Sequence, residues 1–107
     1  MRNLLLSGRP TTSPEQDLWC GVIFQALRDA SRLSWLEFTH EERTKAGKPM
    51  QYHLERDLDA ARQAMRWLTN PSEDLSEVCG LAGIEVSGIL ARRDKFLAGQ
   101  FEGVESL

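Results

Sequence analysis

The chain carries little equipment for cross-linking, metal capture or proton chemistry. It has two cysteines and two histidines in 107 residues. Cys20 and Cys79 are far apart and both fall in predicted helices, which argues against a disulfide framework or a thiolate metal cluster. His40 and His53 sit in no metal-ligand spacing such as H-x-x-x-H with a carboxylate partner. There is no G-x-S-x-G and no glycine-rich loop to cradle a phosphate. The expectation is therefore no catalysis, no cofactor and no metal, because an active site needs titratable groups converging in a pocket. Long apolar runs are missing too. The start, MRNLLLSGRP, offers three leucines before a Gly-Arg-Pro break, too short for a signal-peptide core or a membrane span. That gives an expectation of no membrane and a cytoplasmic location. An excess of positive charge is also lacking: 13 Lys and Arg stand against 16 Asp and Glu, for a net charge of −3. Such a balance disfavours a nonspecific nucleic-acid binder but permits a local basic face.

What is present is helical patterning on the scale of one domain, residues 1–107. Ser13-Pro14-Glu15-Gln16 reads as a helix start with a capping box, and the helix runs to about Ala30 or Ser31. Leu18, Trp19, Val22, Ile23, Ala26, Leu27 and Ala30 make one broad apolar face, with Phe24 off it. Residues 32–49 read as a connection holding one or two helical turns. Within it LSWLEF suits a short strand or a continued helix, and Thr39-His40-Glu41-Glu42 suits a capping box for a short helix ending at Gly47. Trp35 and Phe38 are placed to fold onto the core. A second long helix starts near Met50–His53 and stops at Asn70-Pro71, with Leu54, Leu58, Ala61, Met65 and Leu68 as its stripe. Met1–Thr12 read as a flexible lead whose leucines can tuck against the core or a partner. Residues 99–107 read as a frayed tail. The sum is all-α: a bundle of about four helices.

The stretch Asp74–Phe96 carries the sharpest signal. Asp74-Leu75-Ser76-Glu77 reads as a cap, and Val78, Cys79 and Ala82 as an apolar face. A small residue, Cys79, is followed four later by Gly83 and six after that by Ile89. This is helix-turn-helix spacing over residues 74–97. The small residue lets the helices approach, the glycine takes the left-handed turn, and the aliphatic pins the second helix, read here as Val86–Leu97. A second helix so placed is a candidate for the DNA major groove. Ser87, Gly88, Ala91, Arg92 and Lys95 are candidates for its outward face, with Arg93 and Lys95 suited to phosphates and Arg92 to guanine or phosphate. Arg43, Lys45 and Lys48 are candidate phosphate contacts from the preceding connection. Two other readings stand beside this one: the late basic residues complement a helix C-terminus, and residues 43–48 form a solvated loop.

The order of features resembles a group of small bacteriophage and prophage helix-turn-helix proteins. The matching pieces are FQALRDA, a helix with an aspartate near its end; ARQAMRWLTN, a Trp-ended helix; and LSEVCGLAGIEVSGIL, against the pattern F-x-x-V-C-x-x-L/A-G-I/L-D-P-x-x-V. The resemblance covers Leu18–Ala30 and Ala60–Arg93. The chain departs from it at Leu75, where an aromatic is usual, at Val86, where proline is usual, and in having Gly88 within the second helix. It implies phage-related DNA biology: regulation of phage genes, or recognition of DNA for packaging, as in the small terminase subunits of tailed phages, which assemble into rings. The partners so implied are double-stranded DNA, bound weakly, and further copies of the chain. An adaptor that binds a phage or host protein is the remaining alternative.

Overall fold

Two long helices form the centre, and each later element is placed by what it buries against them. The computed structural model describes residues 13–49 and 51–104. The lead expected at Met1–Thr12 and the end of the tail, 105–107, lie outside the described residues. Six helices follow one another: α1 Pro14–Ser31, α2 Leu33–Lys45, α3 Tyr52–Thr69, α4 Glu73–Ala82, α5 Val86–Leu90 and α6 Arg93–Leu97. The protein is all-α, with no strand among the described residues.

α1 starts where the sequence places it, but only the Ser13 half of the expected capping box forms, because the Gln16 side chain turns to the Ala82 carbonyl instead. The Ser13 hydroxyl accepts from the Gln16 backbone N–H at 3.0 Å, and Pro14 occupies the first turn, where its missing N–H costs nothing. α1 lies against α3 and α4, while α5 and α6 pack on α3. The main core is built from Ile23, Leu27 and Ala30 of α1, Met65 and Leu68 of α3, four residues of α4, then Ile89 and Phe96. A second, smaller cluster joins Leu36 of α2 to Leu54, Leu58 and Ala61 in the first part of α3. α3 is thus shared between two packing units.

Three expectations are corrected. Residues 32–49 are not a connection with a turn or two of helix. α2 runs unbroken from Leu33 to Lys45. LSWLEF contains no β-branched residue, so nothing resists the helix, and Leu33 and Leu36 fall three apart to face α3. Thr39 caps nothing; its hydroxyl donates to the Trp35 carbonyl at 2.9 Å, inside the helix. Trp35 and Phe38 do not fold onto the core and are 60% and 62% exposed.

The second correction is at α4. Its cap is Ser72, whose hydroxyl accepts from the Leu75 N–H at 3.0 Å. The Asp74 carboxylate instead accepts the indole N–H of Trp67 at 2.8 Å and ties α4 to α3. Third, the helix expected over Val86–Leu97 is two helices. The chain leaves helical geometry at Arg92, with φ −95° and ψ 7°. Gly88 weakens the helix just before this point. The bend lets Phe96 enter the core, where it is 1% exposed and stacks on Phe101 with ring centroids 4.7 Å apart.

Phe96→Ala removes the largest fully buried side chain. It is expected to cost about 3–5 kcal/mol, measured by urea unfolding. A loss under 1 kcal/mol would mean that the C-terminal helix is not held in the core.

Candidate nucleic-acid interface

The turn between α4 and α5 is fixed by local chemistry and by α1. Gly83 sits at φ 73°, ψ 26°, the left-handed conformation that L side chains rarely adopt. The Ile84 N–H donates to the Cys79 carbonyl at 2.9 Å, and the Gly83 N–H to that of Gly80 at 3.2 Å, which closes the helix end. α1 supplies the rest. Gln16 Nε2 and Cys20 Sγ both donate to the Ala82 carbonyl, at 3.3 and 3.1 Å. A Cβ on Gly83 would overlap Gln16 Nε2, so a side chain there is strained by the positive φ and also displaces the Gln16 amide from its bond to Ala82. Cys79 and Ile89, the other two positions of the spacing, are 1% and 0% exposed.

Burial pushes the Cys79 thiol above its ordinary pKa, because the thiolate is poorly solvated there. A raised folded-state value means that the unfolded chain gives up this proton first. Stability from this group is therefore full below the thiol's unfolded-state value and declines as pH rises past it toward the folded one.

The candidate contact residues divide into anchored and presented groups. Arg93 Nε donates to the Thr69 carbonyl at 2.7 Å. With Thr69 Oγ1 on the Met65 carbonyl and Asn70 Nδ2 on that of Arg66, it closes the last turn of α3. This uses one of the five guanidinium donors of Arg93. Arg92 is half-buried, and its Nη1 donates to the Glu102 carbonyl at 3.4 Å. Ser87, Ala91 and Lys95 are exposed. Lys95 has no side-chain partner among the described residues. The neighbouring charge is mixed, since Glu73, Asp74, Glu77, Glu85 and Asp94 are all exposed as well.

The earlier basic group stands elsewhere. Arg43 Nη2 donates to the Pro49 carbonyl at 2.7 Å, folding the end of α2 onto the following loop. Its Nε is buried without a hydrogen-bond partner among the described residues. Lys45 lies 3.4 Å from Glu41 and 3.6 Å from Glu42, and Lys48 is exposed. The start of α2, at Ser34, is the part that lies near Gly99 and the end of α6. A helical rise of 1.5 Å per residue puts Lys45 about 17 Å further along α2. The two basic groups are thus not assembled into one strip. Reasoning from sequence missed the Gln16–Cys20 clamp, although the i, i+4 spacing of the two polar side chains on α1 was a signal for it.

Two outcomes follow. Gly83→Val is expected to cost about 2 kcal/mol or more, because a β-branched residue in the left-handed region adds roughly 1–2 kcal/mol of strain to the overlap with Gln16. Unfolding midpoints of wild type and variant check this. In thiol labelling at pH 8, Cys79 is expected to react only once the chain unfolds, so that folded Cys20→Ser takes up no reagent quickly; fast labelling of that variant would contradict the buried thiol.

Among the described residues no helix is long and apolar enough to cross a membrane. No three His, Cys, Asp or Glu residues among them are grouped to hold a metal ion. Compared with protein-family models, with curated proteins and with solved structures, the chain matches none.

Proposed function

We propose that this chain is a small, non-catalytic helix-turn-helix protein of phage type that contacts double-stranded DNA weakly through its α4–α6 end, as a regulator acting on DNA. The observation that carries the reading is the joint state of Cys79, Gly83 and Ile89: two buried residues flanking a left-handed glycine. This is the packing that a helix-turn-helix spacing calls for. Ser87, Ala91 and Lys95 offer the accessible surface, and the unused donors of Arg93 add a fork beside it. Arg93 is then an anchored contact: its bond to Thr69 limits the rotamer freedom that a phosphate contact would otherwise cost. The acidic groups on α4 and the internal bond of Arg92 keep the grip weak in a single subunit.

A second reading, an oligomeric packaging-type subunit that shares DNA contact among copies, is favoured by one specific feature. Trp35 and Phe38 lie three apart on α2, and both are more than half exposed. Paired exposed aromatics of this kind suit an assembly surface.

Fluorescence anisotropy with a labelled duplex in low salt tests the first reading. Affinity is expected to fall steeply with salt, and Lys95→Gln to reduce the logarithmic salt slope by about one. No binding at low salt overturns it. Size-exclusion light scattering of the same samples tests the second, for which a monomer at every concentration, with and without duplex, is the contrary result.

A further inference from the structure

An open groove runs along α1, α3 and the start of α4. Its floor is apolar, formed by Leu18, Trp19 and Val22 of α1, Ala64 and Trp67 of α3, and Val78 of α4. Leu18 is 63% and Val22 39% exposed, although both lie on the apolar arc of α1. The arc is wider than α3 and α4 can cover. The charged side chains lining the groove are Asp17, Asp29 and Asp74, with no lysine or arginine among the lining residues. Asp29 accepts from Gln25 and Asp74 from Trp67, both neutral donors, so neither bond supplies a counter-charge.

An apolar floor with a carboxylate rim fits a short apolar segment flanked by basic groups. A second copy docking face to face through this groove fits badly, because a two-fold contact would set carboxylates against carboxylates. The chain itself holds a segment of the required kind. Residues 1–12 contain Leu4, Leu5 and Leu6 between Arg2 and Arg9, with no acidic residue. We propose that this groove is the seat of the chain's own N-terminal segment, with Leu4–Leu6 on the apolar floor and Arg2 and Arg9 toward the carboxylates.

The reach is sufficient. The seven residue-to-residue steps from Leu6 to Ser13 span up to about 25 Å when extended. Along α1, Leu18 and Val22 lie only about 8 and 14 Å from Ser13. Gly8-Arg9-Pro10 supplies residues suited to reversing the chain. The seat does not depend on DNA contact, and it would serve to cover an apolar face that α1, α3 and α4 leave open.

NMR of the full, isotope-labelled chain tests this. Cross-peaks are expected between the Leu4–Leu6 methyls and the Trp19 and Trp67 rings. The triple variant Leu4→Ser, Leu5→Ser, Leu6→Ser should lose them while the signals of α5 and α6 stay in place. That variant touches no described core residue, so it separates docking from folding. The double variant Arg2→Gln, Arg9→Gln should show weaker cross-peaks, as should the wild type at high salt. Absence of the cross-peaks in the wild type overturns the proposal. So does their appearance only between labelled and unlabelled copies in a mixed sample, which would assign the seat to a second chain.

Discussion

The carbonyl of Ala82 is the point on which the C-terminal half depends. It ends α4, so no helical N–H is available to it, and the chain reverses immediately afterwards at Gly83. Two side chains of α1, Gln16 and Cys20, supply the missing donors. The arrangement makes the turn a tertiary structure rather than a local one. α1 must be in place for the carbonyl to be satisfied, and the glycine must lack a side chain for Gln16 to reach it. The Gln16 bond is of ordinary strength, worth about 1 kcal/mol net, and the thiol of Cys20 is a weaker donor. Their importance lies in direction, since they set the angle at which α5 leaves α4 and therefore what surface α5 and α6 present.

Much of this was readable in the chain itself. The cap at Ser13, the stripe on α3, the stop at Pro71 and the Cys79–Gly83–Ile89 spacing are short-range signals, and each is present as expected. What escaped were features decided by distant partners. α2 looked like a connection because its apolar residues do not form one clean face: Leu36 is buried while Trp35 and Phe38 point outward. Only α3 shows which of them is core. The break at Arg92 is similar. Nothing in ILARRDKF announces it beyond the weakening effect of Gly88, and the bend follows from where the Thr69 carbonyl and the core cavity for Phe96 lie. The candidate contact residues were legible as types and not as roles. Sequence identifies Arg92, Arg93 and Arg43 as cations, while the fold determines that each first serves a backbone carbonyl of its own chain.

The electrostatic layout follows from the same helix ends. Acidic residues gather at the first turn of α4, where the helix dipole favours them, and Arg93 gathers at the last turn of α3, where it favours cations. Charge that looks functional in one dimension is therefore partly the ordinary complement of helix termini. A ligand at this end meets a surface with few uncommitted cations, chiefly Lys95. An avid single-subunit grip on a polyanion would need more of them.

The division of α3 between two clusters has a consequence for motion. α2 is held chiefly through Leu36 against Leu54, Leu58 and Ala61, whereas α4, α5 and α6 rest on the larger cluster around Leu68. The two ends of α3 thus belong to packing units of unequal size, and local opening is graded accordingly. α2 can lift from α3 at a fraction of the free energy of global unfolding, exposing the N-terminal half of α3 while the α4–α5 turn stays closed. Slow amide exchange would then be concentrated in the second half of α3, and α2 would act as a hinged cover whose movement leaves the α4–α6 end in place.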